Sequence, residues 1–254
     1  MPWLATAAKA FSYLTKYHFA PDVKAEKSTK EGEMAVQGTF MDINKFASIK
    51  RYGDAYKLTL LKCLPACPEP SRGKSEEKND SKSDCNISRA RAKIFELAMC
   101  NEWDYFGTYT LDKRKYDRSD LEVFQKDLSR FIRRQREKWK APGIKYLLIP
   151  ELHDDMENWH MHGLMGGIRE EMLTRFEKDK HPAYLVDNGF LNWPDYAEKF
   201  GFISLGIIRS KEQVSKYITK YISKDIAKSV QEVGGHMYYR SKGLHELEIV
   251  KKGT

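Results

Sequence analysis

From residue 87 onward, apolar and polar positions recur in two rhythms, one helical and one alternating. In Ile87–Cys100 the apolar residues Ile87, Ala90, Ile94, Leu97 and Ala98 fall at helical spacing, with Arg89, Arg91 and Lys93 on other faces. Asp104–Leu111, DYFGTYTL, has the aromatic and β-branched composition of a strand. Ser119 or Asp120 can cap a helix running to about Lys138, whose Leu121, Phe124, Leu128, Phe131 and Ile132 form one apolar stripe. Pro142-Gly143 ends it. Ile144–Leu152 and Trp159–Met165 read as strands joined by the polar turn HDDMEN, an antiparallel hairpin. A helical stretch near Glu170–Lys178, an insert with Pro182 and Pro194, a strand from Phe202 and a long helix over Lys211–Lys228 complete the order. This succession predicts an α+β fold, a mainly antiparallel central sheet flanked by helices.

Upstream the pattern is thinner. Met34–Ile43 and Tyr56–Leu64 are strand-like, and no group of residues there suggests chemistry. Pro68 to Asn86, PEPSRGKSEEKNDSKSDCN, offers almost nothing to bury and predicts a flexible linker. The expected division is a small N-terminal region at 1–67, the linker at 68–86, a main domain at 87–245 and a C-terminal tail at 246–254. Gly73-Lys74-Ser75 has the ending of a phosphate-binding P-loop, but that motif needs glycine where Pro68 stands. An ATP-driven helicase is thereby excluded.

Charge adds a class of partner. The 254 residues carry 44 Lys and Arg against 36 Asp and Glu, a formal +8 that favours contact with a polyanion. Arg130, Arg133 and Arg134 on the 119–138 helix are candidate DNA contacts, or else a solvated face. No apolar run reaches the roughly 18–20 residues of a membrane helix, and Lys9, Lys16 and His18 interrupt the opening segment. A soluble intracellular protein with no membrane partner is expected. Cys63, Cys67, Cys85 and Cys100 lack paired zinc spacing and are expected as reduced thiols.

Alternate strand residues share a face, so His160 and His162 in His-Met-His present two imidazoles side by side while Met161 turns to the core. Glu151, on the preceding strand, can bring a carboxylate to that face, and His153 is the rival third ligand. An isolated His-x-His is often only a polar surface feature. Downstream, Tyr217-Ile-Thr-Lys220-Tyr221-Ile-Ser-Lys224 repeats Tyr-Ile-x-Lys every four residues. On one helix that spacing groups Tyr217 with Tyr221, Lys220 with Lys224, and Ile218 with Ile222 as the buried row. Amphipathic packing alone is the plain account of such tyrosines.

Taken in order, FGTYTLD, PELHDDMENWHMHGLM and YITKYISK resemble the three motifs of HUH endonucleases, in the two-tyrosine form of rolling-circle replication initiators from small single-stranded DNA phages and plasmids. The resemblance covers roughly Ile87 to Arg240. It implies that Glu151, His160 and His162 hold Mg²⁺ or Mn²⁺. Tyr217 and Tyr221 become nucleophiles toward single-stranded origin DNA, forming a 5′-phosphotyrosine. Lys220 and Lys224 are expected to lower a phenol's pKa or neutralise phosphate. Partners implied are replication-origin DNA and a host helicase and polymerase, in the cytoplasm of a bacterial host cell. The rivals are a single-tyrosine transposase or relaxase, and a non-enzymatic basic DNA-binding protein with a structural zinc.

Overall fold

The computed structural model describes residues 45–62, 77–153, 155, 157–232 and 234–253. Strands β1 (Lys45–Tyr52) and β2 (Ala55–Lys62) form a hairpin, followed by helix α1 (Glu77–Met99), strand β3 (Tyr105–Thr110) and helix α2 (Leu121–Lys138). The hairpin β4 (Lys145–Leu152) and β5 (Trp159–Gly166) comes next, then β6 (Thr174–Arg175), α3 (Ala183–Asp187), β7 (Leu191–Asn192), α4 (Pro194–Lys199) and β8 (Ile203–Ile207). Helices α5 (Lys211–Ile218) and α6 (Lys224–Glu232) precede β9 (Tyr239–Arg240) and β10 (Glu248–Gly253). The α+β expectation holds. A seven-stranded sheet in the order β6-β7-β8-β3-β5-β4-β9 is antiparallel at each junction, with helices on both faces.

Alternation along the central strands sends successive side chains to different cores. Tyr105 and Tyr109 of β3 and Met161 and Met165 of β5 join the α2 stripe of Leu121, Phe124, Leu128, Phe131 and Ile132. Phe106 and Leu164 face the other way, with Leu147 and Ile149 of β4, Ile94 and Leu97 of α1, and Val214 and Ile218 of α5. His160 and His162 share the parity of Leu164 and therefore belong to the α1–α5 face. Asp120 caps α2 as expected, its carboxylate accepting from Val123 N at 2.8 Å, a bond worth about 1 kcal/mol.

Gly107 and Gly163 stand opposite each other where β3 and β5 pair. Their missing side chains allow close packing: a Cβ on Gly107 would meet the Tyr109 ring at 2.9 Å, and one on Gly163 would meet the Leu147 carbonyl oxygen at 2.1 Å. The second obstacle is backbone of the neighbouring strand, which cannot yield without opening the β4–β5 register. Gly163→Ala is expected to cost about 3 kcal/mol or more, read as a lowered thermal midpoint in a circular-dichroism melt.

Four expectations require correction. Helix α1 begins at Glu77, inside the stretch expected as linker, where neither apolar periodicity nor the Asn-, Asp- and Ser-rich composition announces it. The expected tail at 246–254 contributes β10, which pairs with β1 in a three-stranded sheet ordered β10-β1-β2. Glu170–Lys178 is no helix. A 3₁₀ turn at Glu170–Met172 gives way to β6, since Met172 enters one core and Phe176 another, and a single helix face cannot serve both. Lys211–Lys228 is also discontinuous, broken between Ile218 and Lys224 by a 3₁₀ turn at Thr219–Tyr221 and an extended Ile222. Met34–Ile43, Cys63, Leu64 and Cys67 lie outside the described residues, whereas the described part of the expected Tyr56–Leu64 strand falls in β2. Cys85 and Cys100 are free thiols. Among the described residues no helix is long and apolar enough to cross a membrane.

Candidate functional site

The β4–β5 register sets Glu151 directly opposite His160, with Ile149 opposite His162. Glu151 Oε2 lies 3.1 Å from His160 Nε2 and 2.8 Å from His162 Nε2. The two Nε2 atoms are 2.7 Å apart. Three lone-pair atoms converging this closely repel one another unless a proton or a cation lies among them. Ligands held at right angles about a small divalent cation, with bonds of roughly 2.1 Å, stand roughly 3.0 Å apart. The observed spacings match, and two imidazoles with one carboxylate suit such an ion chemically. Among the described residues Glu151, His160 and His162 therefore form a group able to hold a metal ion.

Protonation and orientation favour the same use. Burial lowers the His160 pKa below the ordinary histidine value, against the raising effect of its bond to Glu151, and so favours the neutral, ligating imidazole. Burial opposes ionisation of Glu151, but hydrogen bonds and charge from His160 and His162 outweigh it and keep the group well below the usual carboxylate range. His162 is only 1% exposed, and Thr108 Oγ1 lies 3.1 Å from its Nδ1. The tautomer that leaves Nε2 free carries its proton on Nδ1 and donates it to Thr108, fixing the ring. His153, the rival third ligand, instead packs its ring 4.2 Å from that of His160.

Tyr217 and Tyr221 meet at the helix break rather than along one helix, their hydroxyl oxygens 3.1 Å apart. The Tyr221 ring stacks on His162 with centroids 4.4 Å apart and planes 19° apart. Phe106 touches both tyrosines and His162, so one aromatic side chain of β3 seats the pair beside the imidazoles. Ile218 and Ile222 are wholly buried, as the repeat predicts. The break leaves the Ile222 carbonyl without a helical partner, and Arg91 of α1 donates to it from Nε at 2.8 Å and Nη2 at 2.6 Å.

The lysine row does not form, because Lys220 stands in the 3₁₀ turn and Lys224 opens α6. Lys220 Nζ lies 5.2 Å from the Tyr217 ring centroid, over its face. The Lys224 side chain lies outside the described residues. Burial raises both phenols above their ordinary pKa, where the lysines were expected to lower one. The negative charge of Glu151 adds to the rise, and only Tyr217 is pulled back, by its bond to Tyr221. Arg130, Arg133 and Arg134 are not brought to the site. Their helix, α2, packs on the opposite face of the sheet, and Arg130 pairs with Asp127 at 3.0 Å.

Thr108, Phe106 and Arg91 escaped notice as site residues in the sequence. For the first two a signal existed: in DYFGTYTL they share strand parity, which puts them on one face. Arg91 had none, since its contact spans 131 residues. No curated protein and no solved structure matches the chain. Residues 104–226, the segment that carries β3, the Glu–His–His group and the tyrosine pair, match the family described as replication-associated protein ORF2/G2P.

Proposed function

We propose that this protein nicks single-stranded origin DNA through Tyr217 or Tyr221 and later rejoins it, as a two-tyrosine HUH initiator of rolling-circle replication. The observation that carries the reading is the paired phenols, 3.1 Å apart, with Tyr221 stacked on His162 of a Glu–His–His group. Glu151, His160 and His162 hold Mg²⁺ or Mn²⁺, and the ion when bound supplies positive charge to the non-bridging oxygens of a phosphate. A structural zinc needs a fourth protein ligand, and the group has three members among the described residues.

In the proposed reaction a tyrosine oxygen forms a bond to phosphorus as the bond from phosphorus to the 3′-oxygen breaks. The phenolic proton passes to water, and the leaving 3′-oxygen takes one up from water. The products are a 5′-phosphotyrosine and a free 3′-hydroxyl. Because the covalent link keeps the phosphodiester's energy, a 3′-hydroxyl can later reverse the step without ATP. A second phenol within reach lets the protein cut again while the first still holds an end, which favours this form over a single-tyrosine transposase or relaxase. Strand separation and copying fall to a host helicase and polymerase.

Incubating the protein with single-stranded origin-region DNA and Mn²⁺ is expected to yield a denaturation-resistant adduct on a gel, absent with EDTA. Free nicked DNA with no adduct would remove the tyrosine nucleophile from the scheme.

A further inference from the structure

The paired registers of β3 and β5 line up three levels along the strands on one face: Phe106 against Leu164, Thr108 against His162, and Thr110 against His160. The tyrosines lie at the Phe106 and His162 end. At the other end, past Thr110 and His160, a cavity of about 590 Å³ opens, within the roughly 300–1,000 Å³ of pockets that take small organic ligands. Its wall begins with Thr110 and His153, the latter in ring contact with His160, so it continues directly from the Glu–His–His group.

The wall is cationic. Lys113, Arg114, Lys115 and Arg118 line it against a single carboxylate, Asp112, which Arg114 already holds at 2.6 Å. Lys115 donates to the carbonyls of Ala197 and Glu198, which are neutral, and shares the attraction of Asp112 with Arg114. Lys113 is exposed, with no acidic partner among the described residues. Arg118 carries the argument furthest. Its Nε is buried without a hydrogen-bond partner, a costly state for a charged group unless a ligand supplies the acceptor. Its backbone carbonyl accepts from Trp159 N at 2.8 Å, which ties this loop to the residue next to His160. Phe202 adds an aromatic ring to the wall, a surface on which a base can stack.

We propose that this cavity holds the leaving strand of single-stranded DNA, the nucleotides that end in the freed 3′-hydroxyl, with Arg118 on a backbone phosphate. The inference rests on the nicking reading for its polarity. In an in-line displacement the attacking and leaving oxygens lie on opposite sides of phosphorus. With the tyrosines at one end of the group, the departing 3′-oxygen faces the other, where the cavity begins. Holding that end there without a covalent bond keeps it poised for the reverse attack.

The test uses the full chain and fluorescent oligothymidylate, with binding followed by anisotropy across a salt series. Arg118→Ala is expected to weaken binding about tenfold and to flatten the logarithmic salt dependence by about 0.7 for the lost phosphate contact. Arg118→Lys should restore the slope and part of the affinity. Lys113→Ala, on an exposed side chain that the fold does not use, should move the slope the same way if Arg118→Ala fails to fold. Unchanged slopes in both would overturn the proposal. Polarity is read with 4-thiothymidine at the 3′ terminus, which under ultraviolet light should crosslink to the segment 111–118 or 197–202. Crosslinking elsewhere, above all to 217–221, would overturn the assignment of the leaving strand. The covalent adduct of the unaltered protein is scored separately. Binding that depends on Arg118 without any adduct defeats the nicking reading alone, whereas an adduct with Arg118-independent binding defeats the cavity alone.

Discussion

His162→Ala is expected to abolish metal-dependent adduct formation, by at least about a hundredfold, while single-stranded DNA binding in the absence of metal stays close to that of the parent protein. The size follows from several kcal/mol of charge stabilisation that depend on the site, at 1.4 kcal/mol per factor of ten. His162 Nε2 is within 2.8 Å of both other ligand atoms, so its loss leaves two donors where three converge. It also removes the ring on which Tyr221 stacks. His160→Ala should match it in metal loss without unseating Tyr221. Glu151→Gln keeps the shape and removes the charge, and should weaken Mn²⁺ binding more than His153→Ala, whose ring packs on His160 instead of joining the three ligand atoms. Calorimetric titration with Mn²⁺ gives the ranking, and the adduct gel gives the activity. Parallel loss of DNA binding and adduct in both histidine variants would mark the histidines as structural, and a reversed ranking of Glu151→Gln and His153→Ala would replace the third ligand.

The parts of this fold legible in the sequence are those where local pattern and burial coincide. The Asp120 cap and the α2 stripe are contiguous in sequence and buried as one face, so periodicity sufficed. The Glu151–His160–His162 group was legible because a short hairpin couples sequence separation to register, and the expected pairing is the observed one. What escaped depends on partners far along the chain. The break after Ile218 cannot be read from YITKYISK, whose spacing is ideal for a continuous helix. Its stabilising contact comes from Arg91, on another helix. The same distance hid the pairing of β10 with β1, since Glu248–Gly253 has only two apolar side chains and joins a sheet with strands near the opposite end of the chain. The arginines of α2 show how little a charge count says about position. Charge count made them candidates, but the buried stripe that makes α2 amphipathic commits it to the face away from the histidines.

Changing both Tyr217 and Tyr221 to phenylalanine is expected to leave a folded protein that binds Mn²⁺ and single-stranded DNA and forms no covalent adduct. Packing and chemistry make opposite claims here, and the hydrogen bond between the two phenols separates them. Each Tyr→Phe change keeps a ring against Phe106, and at position 221 against His162, but deletes one oxygen of a pair 3.1 Å apart. A single change leaves the other phenol without its partner in a largely buried setting, at a cost of roughly 1–3 kcal/mol, whereas removing both leaves nothing unsatisfied. The double variant should therefore melt no lower than the less stable single variant. If the tyrosines only pack, activity should follow this stability order, with the double variant as active as either single one. If they are nucleophiles, the order inverts: each single variant retains some adduct formation, because the remaining phenol stands at the same imidazole group, and the double variant, stable or not, retains none. A double variant that still gave a denaturation-resistant adduct would locate the nucleophile elsewhere, and the proposed chemistry of the helix break would fail with it.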